Sequence, residues 1–233
     1  MPCVPPAPLR SALLVVAGLL MAISACHPQQ AQPLPADIMV EMGAGGTPKR
    51  VQAAHLAADM EALGAYKSAR QNENYGEMAY LFLAHRADLF KLADPRSDLE
   101  LIDALGDGLG HHHAKFQQVV DGVPVWRKTL SVHFDPEDRL YRVDGDYRAT
   151  PLGVETRPAL SEADVRAKAL EGIVGSGSGW KVAGSELIVY APEAVAPRLA
   201  YRITVAKGLS GREDRIMDAA TGQLLKRVTR IHN

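Results

Sequence analysis

The stretch His111–Tyr147, HHHAKFQQVVDGVPVWRKTLSVHFDPEDRLYRVDGDY, decides the fold because apolar alternation and turn-forming residues succeed one another along it. Apolar and polar residues alternate from Leu130 to Phe134. Turn-forming residues stand between the strand-like runs, at Asp121-Gly122 and at residues 135–138 (DPED). Strand patterns bounded by turn residues predict an antiparallel meander. We expect four short strands, at about residues 113–120, 123–126, 128–134 and 139–146.

The residues before the meander have a helical pattern. Residues 50–93 are rich in Ala, Leu, Glu and Lys, with apolar positions at helical spacing, which predicts helices packed on a sheet. Asp94-Pro95 ends this region, since the residue before a proline avoids the helical conformation. The alternation from Leu99 to Ile102 then suits a first strand.

A second unit follows a proline-punctuated connection at residues 150–158. Ser161 stands three residues before Asp164, which resembles a capping box and predicts the start of a helix. Strands are expected at about 185–190, 199–207, 212–218 and 224–231, with Thr221-Gly222 as the last hairpin turn. The predicted fold class is α+β: N-terminal helices and two consecutive antiparallel-sheet units, the second with one helix packed on its sheet.

The N-terminus has the pattern of an export signal. Residues 11–22, SALLVVAGLLMA, match a signal-peptide core and are too short to span a bilayer comfortably. The next residues, Ile23-Ser24-Ala25-Cys26, resemble a bacterial lipobox, in which the cysteine thiol carries the lipid. We therefore expect a lipoprotein signal peptide over residues 1–25 and lipidation of Cys26, which would hold the chain on a membrane surface. The alternative is a plain secretion signal with Cys26 as a bystander.

The composition of the following segment predicts the remaining organisation. Residues 26–48 are rich in Pro, Gly and Gln and are predicted to be a flexible tether. Two folded units are expected after it, at residues 49–150 and 151–233. His27 after the cysteine resembles the outer-membrane sorting pattern of Gram-negative lipoproteins, so we expect an envelope location that faces the periplasm if the source is Gram-negative.

Several functional classes find no support in the sequence. The 26 basic and 27 acidic residues nearly balance, which argues against a nucleic-acid partner. No G-x-S-x-G element is present, and the series Gly106, Gly108, Gly110 lacks the strand–turn–helix context of a phosphate loop. We therefore expect a protein that is not an enzyme and that needs no cofactor.

The run His111-His112-His113 is the strongest candidate for a metal site. Adjacent residues on a strand point to opposite faces, so at most His111 and His113 can share one metal, with His133 on a neighbouring strand. Zinc needs three or four ligands, and no cysteine or second compact histidine pair supplies them. We expect no metal, with these three histidines as weak candidates.

Specific motifs in the same stretch resemble the propeptide motif of thermolysin- and fungalysin-type metalloproteases, and the later part resembles the PepSY-type half of those propeptides. The motif positions are His113, Phe116, Gln117, Gln118, Gly122, Val123, Pro124, Val125, His133 and Gly145. The markers of the later half are Leu199-Ala200-Tyr201 and Asp218-Ala219-x-Thr221-Gly222. From the residues alone, Phe116, Gln118, Val125 and Trp126 are expected in the core, while Gln117 and Gln118 could hold sheet edges or meet a partner.

The resemblance implies a role as a folding chaperone and inhibitor of a protease. Family propeptides present their C-terminal segment to the protease cleft, so the resemblance implies partner binding by Arg230, Ile231, His232 and Asn233, and the alternative is a frayed chain end. The sequence contains no zinc-binding H-E-x-x-H helix motif. We therefore expect a membrane-anchored, propeptide-like lipoprotein that binds a thermolysin-like metalloprotease in trans. The alternatives are an envelope binding or structural lipoprotein without a protease partner, and the remnant of a split metalloprotease gene.

Overall fold

The computed structural model describes residues 34–171, 173, 179–208 and 211–229. The expected signal peptide, the expected lipidation site Cys26 and the segment Arg230–Asn233 lie outside the described residues. Contacts place the described residues in one compact unit. No helix within the described ranges is both long enough and apolar enough to cross a membrane.

The elements of the described chain fall into an α+β arrangement, as expected. The strands are β1 Met39–Met42, β2 Pro48–Gln52, β3 Leu99–Gly106, β4 His112–Val120, β5 Val123–Phe134, β6 Leu140–Asp146, β7 Lys181–Tyr190, β8 Arg198–Lys207, β9 Gly211–Asp218 and β10 Leu224–Thr229. The helices are α1 Gly64–Gln71, α2 Tyr75–His85, α3 Ala87–Phe90, α4 Pro95–Asp98 and α5 Glu162–Glu171, with a 3-10 turn at Ala58–Met60.

The first sheet has the order β1-β2-β6-β5-β4-β3, and every neighbouring pair is antiparallel. Alternate residues of its central strands, such as Phe116 and Val132, are fully buried on one face. The helical region contributes Tyr66, Phe82 and Phe90 to the same core. The other face carries polar side chains, so the helices cover the sheet on one side only. We call the uncovered side the open face.

The central strand β5 differs from the expectation. Two strands at residues 123–126 and 128–134 were expected, but one strand runs from Val123 to Phe134. Its register against β4 shifts between Gln117 and Val119, so that residues 125–128 bulge outward. Arg127 in the bulge has a left-handed backbone with φ of 57°. The separation expected near residue 127 is therefore a bulge within one strand.

The sheet begins inside the stretch that the sequence assigned to the tether. Met39–Met42 pairs with Pro48–Gln52, which in turn pairs with β6. All four residues of β1 are exposed, and its sequence MVEM does not alternate between apolar and polar residues as a predicted strand would. Backbone pairing and the ion pair between Glu41 and Lys49 hold this segment at the sheet edge.

The second sheet has the order β7-β8-β9-β10 and is antiparallel, with α5 on one face, as expected. The side chains of Val165 and Ala169 on α5 are buried against Tyr201 and Ile203 of β8. Ser161 caps the helix as expected, since its Oγ accepts a hydrogen bond from the Asp164 N–H at 3.2 Å. The two sheets join where Val125 of β5 pairs with Val189 of β7, the one parallel pairing among the described strands. The unit boundaries at residues 48 and 150 stay predictions.

Candidate functional site

The hairpin between β4 and β5 carries most of the residues that the sequence singled out. Asp121 and Gly122 form its tip, with φ of 47° and 78°. Positive φ at both central residues is the geometry of a type I′ turn, which asparagine, aspartate and glycine adopt at least cost. The turn fixes the register in which Val120 pairs with Val123. The Asp-Gly pair therefore sets which side chains of β4 and β5 face the core.

Gln118 is a clamp between the hairpin and the chain that leaves β6. Its side chain is fully buried. Its Nε2 donates to the Arg148 carbonyl at 2.8 Å, and its Oε1 accepts from the Arg148 N–H at 2.9 Å. The side-chain amide thus pairs with the backbone as a neighbouring strand would. Of the two roles left open for Gln118, the structure shows the structural one.

Gln117 holds the bulge of β5 in the same way. Its Nε2 lies 2.7 Å from the Val125 carbonyl oxygen and 2.9 Å from that of Lys128. These two carbonyls are the ends of the bulge, where the ladder to β4 is interrupted. Because Val125 is also the residue that pairs with the second sheet, Gln117 stabilises the junction of the two sheets.

Gly145 allows a close approach that no other residue permits. It pairs with Leu130, and a Cβ at this position would lie 2.6 Å from Tyr147 Cδ1. The Tyr147 ring lies across the glycine and is buried. Burial raises the pKa of the Tyr147 hydroxyl. The motif glycine is thus explained by packing.

Two of the three candidate metal ligands meet on the open face. His113 Nδ1 lies 2.8 Å from His133 Nδ1, which requires at least one of the two rings to be neutral at that nitrogen. His111 and His113 both approach Asp107 Oδ2, at 3.8 and 3.5 Å, while His112 points to the other face and stacks on Tyr75. The expected separation of neighbouring histidines onto opposite faces is therefore confirmed.

Electrostatics favours a neutral His133. Burial lowers the pKa of the His133 imidazole, and a positive charge on His113 lowers it further, against the opposing effect of Asp144. Burial alone would raise the pKa of the Asp144 carboxyl, but hydrogen bonds from Arg142 and Arg50 hold it below its usual value. Within the described ranges, no group of three or more His, Cys, Asp or Glu side chains is arranged to hold a metal ion.

A basic aromatic cluster at the bulge was missed by the sequence analysis, which placed Trp126 in the core. The Trp126 ring is half-buried and lies 5.8 Å from the ring of Tyr190, centroid to centroid. The guanidinium of Arg127 lies 4.5 Å from the Trp126 ring centroid, and Lys226 Nζ of β10 lies 5.6 Å from it. Both distances suit cation–π contacts. Lys226 is a hundred residues away in sequence, so no local pattern indicated this contact.

The remaining motif residues have structural positions. Phe116 and Val125 are fully buried, as expected. Val123 and Pro124 begin β5 and pair with Val120 and Val119. The segment assigned to partner binding, Arg230–Asn233, follows β10 and lies outside the described residues.

Comparison with known families identifies the hairpin and its surroundings. Residues 97–147 match the model of the Fungalysin/Thermolysin Propeptide Motif. This part of the chain is similar to the fungalysin/thermolysin propeptide motif. It extends from α4 through β3 to β6 and contains the two glutamines, the turn glycine and the packing glycine.

Curated relatives extend the similarity beyond the motif. Bacillolysin of Bacillus subtilis is 27% identical over 161 residues, which cover 65% of this chain and 31% of bacillolysin. Thermolysin of Alicyclobacillus acidocaldarius is 27% identical over 163 residues, or 65% of this chain and 29% of that protein. The chain thus spans about a third of the length of these relatives, and the similarity lies in their propeptide region.

Among solved structures, the C-terminal domain of YpeB from Bacillus megaterium is similar to 81% of this chain and 74% of its own, with 16% identity and a TM-score of 0.34. The motif match and the curated relatives show that the chain contains a propeptide-like region related to the propeptides of thermolysin-type proteases.

Proposed function

We propose that this protein is a membrane-anchored, propeptide-like lipoprotein that binds a thermolysin-type metalloprotease in trans and inhibits it or assists its folding. The observation that carries the proposal is the intact framework of the propeptide motif. Gln117 and Gln118 each make the backbone contacts that hold the hairpin together, and Gly122 and Gly145 occupy positions that require glycine or favour it strongly. A motif maintained in this detail supports retention of the propeptide's binding role.

The proposed role is not enzymatic. The matched region is a propeptide motif, and its characteristic side chains are engaged in backbone hydrogen bonds, turns and packing. Side chains that hold backbone carbonyls are poorly placed to activate a substrate. We propose instead that the folded surface recognises the protease.

The C-terminal segment is the proposed point of entry into the protease cleft. The last described residue, Thr229, ends the edge strand β10, which among the described strands pairs only with β9. The residues after an edge strand can reach a partner without crossing the sheet. We therefore propose that Arg230–Asn233 contacts the cleft.

Anchoring is the second part of the proposal. Lipid on Cys26 would hold the protein at the cell envelope, facing the periplasm if the source is Gram-negative. Since the sheet begins at Met39, the tether would comprise the residues between Cys26 and that strand. A Cys26→Ser variant should leave the membrane fraction and lose the lipid mass by mass spectrometry. Retention of both would contradict lipidation at this residue.

The protease partnership can be tested with a thermolysin-type protease encoded in the same genome. The denatured protease is refolded with and without an equimolar amount of this chain, and the recovered activity and the residual inhibition are measured. We expect a higher yield of folded protease or inhibition at stoichiometric ratios. A chain ending at Thr229 is the control, and it should keep its fold but inhibit less. No effect on yield or activity for any such protease would refute the proposal.

A further inference from the structure

The edge strand β3 is exposed along almost its whole length. It pairs with β4 on one side and, among the described strands, with none on the other. Every residue from Glu100 to Gly110 is exposed. Large apolar side chains are exposed along it, with Ile102 54%, Leu105 60% and Leu109 79% accessible. An unpaired strand edge with exposed apolar side chains is a template for pairing with another extended segment.

The two faces of β3 differ in chemistry. Leu101 and Ala104 pair with the buried residues Phe116 and Ala114, so they lie on the helix side of the sheet. Glu100 pairs with Gln117 and lies on the open face. Asp103 pairs with Lys115 on the same face. The open face of β3 therefore carries both acidic groups, followed by Leu105, which pairs with His113, while the helix side carries only apolar groups.

The acidic groups of β3 are available for a partner. Within the described ranges neither Glu100 nor Asp103 forms an ion pair, although Lys115 stands across the ladder from Asp103. Residues 99–109, LELIDALGDGL, contain three acidic and no basic side chains. The carboxylate of Asp107, by contrast, accepts the N–H groups of Leu109 and His111 and shapes the following turn.

The other edge of the same sheet lacks this pattern. The strand β1 has only four residues, and its one charged side chain, Glu41, is paired with Lys49 at 3.1 Å. Two β3 strands brought together would place acidic side chains against acidic side chains, which disfavours pairing with a second copy. The charge of β3 therefore selects a basic partner.

We propose that β3 is a docking edge for an extended segment of another protein, in which basic side chains alternate with apolar ones. The segment adds a strand along the outer edge of β3 through backbone hydrogen bonds from residue 102 onward, because the Leu99 carbonyl oxygen already accepts a hydrogen bond from the Tyr80 hydroxyl at 2.9 Å. Its basic side chains lie on the open face beside Glu100 and Asp103, and its apolar side chains lie beside Leu101 and Ala104. This site is separate from the C-terminal segment. A negative result for docking at β3 would therefore leave the proposed protease role unaffected, and a negative result for the protease role would leave docking at β3 unaffected.

The probe is an eight-residue peptide of alternating lysine and valine, added to the purified chain. Hydrogen exchange is measured residue by residue, and affinity is measured by fluorescence anisotropy of the labelled peptide. A lysine–proline peptide of equal charge serves as the first control, because proline has no N–H to donate to a ladder. We expect protection of β3 amides by the lysine–valine peptide alone, and weaker binding as salt rises.

The decisive variant is Glu100→Lys with Asp103→Lys, since both side chains are exposed and unpaired. It should weaken binding by about tenfold or more, because two attractions become repulsions. The affinity of the neutral variant, Glu100→Gln with Asp103→Asn, should lie between that of the unchanged protein and that of the lysine variant. Glu171→Lys with Glu193→Lys changes the net charge equally at exposed sites elsewhere and should leave the affinity unchanged.

Four results would overturn the proposal. In the first, the control pair Glu171→Lys with Glu193→Lys weakens peptide binding as much as the β3 pair does, and in the second, the lysine–proline peptide binds as tightly as the lysine–valine peptide. In the third, the peptide protects amides of β1 or β10 from exchange in place of those of β3. In the fourth, the amides of β3 become protected as the chain concentration rises in the absence of peptide. The last would assign the edge to a second copy. Circular dichroism of each variant establishes that the fold is retained.

Discussion

Replacing Gln118 by alanine should destabilise the protein strongly, because this side chain is fully buried and makes two hydrogen bonds to one backbone unit. The substitution leaves the Arg148 N–H and carbonyl without these partners. Each unpaired backbone group costs about 1–3 kcal/mol. The truncated side chain also leaves a cavity, which adds about 1 kcal/mol. Because Arg148 is only half-buried and water can reach it in part, we expect a total loss of about 3–5 kcal/mol.

Urea unfolding followed by tryptophan fluorescence measures this loss from the midpoint and slope. Gln118→Glu should also destabilise at neutral pH, since a carboxylate keeps the shape but cannot donate to the Arg148 carbonyl. Gln223→Ala removes an exposed glutamine side chain and should change stability by less than about 0.5 kcal/mol. A loss below about 1 kcal/mol for Gln118→Ala would refute the clamp role.

Three further predictions concern single sites. Folding lowers the pKa of His133, so the unfolded chain binds more protons than the folded chain as the pH falls below about 7. The free energy of unfolding should therefore decrease as the pH drops through the folded pKa, and urea midpoints across this range should decrease less for His133→Gln. Gly145→Ala should lower the free energy of unfolding, measured by heat or urea, by about 1–3 kcal/mol, because the new Cβ overlaps the Tyr147 ring. The control Gly64→Ala places its Cβ with no atom within 4 Å and should leave the stability unchanged or raise it. Asp218→Ala should lower the free energy of unfolding by about 1–3 kcal/mol, because Asp218 Oδ1 accepts hydrogen bonds from two backbone N–H groups of the last hairpin turn. Asp218→Asn keeps an acceptor oxygen and should lower it less, and equal losses for the two variants would contradict this reason.

Local patterns in the sequence were sufficient for much of the fold. The strand at residues 199–207, the Ser161 cap and the turns at Asp121-Gly122 and Thr221-Gly222 all appear where expected. In each case the information lies within a few neighbouring residues. The propeptide motif was likewise recognisable from residues close together in the chain.

Contacts between distant residues could not be predicted in the same way. The β5 bulge depends on Gln117 reaching the carbonyls of Val125 and Lys128, and no propensity of residues 125–128 encodes that bond. The parallel contact with Val189 and the approach of Lys226 to Trp126 bring together residues more than sixty positions apart. The exposed strand β1 was missed because its side chains carry no burial pattern.

The most direct test of the central proposal is the binding isotherm between this chain and a purified thermolysin-type protease from the same genome. We predict saturable, stoichiometric binding by titration calorimetry, accompanied by loss of protease activity or by improved refolding, and weakened in the chain that ends at Thr229. The absence of binding to every such protease, with the chain shown to be folded, would contradict the proposal.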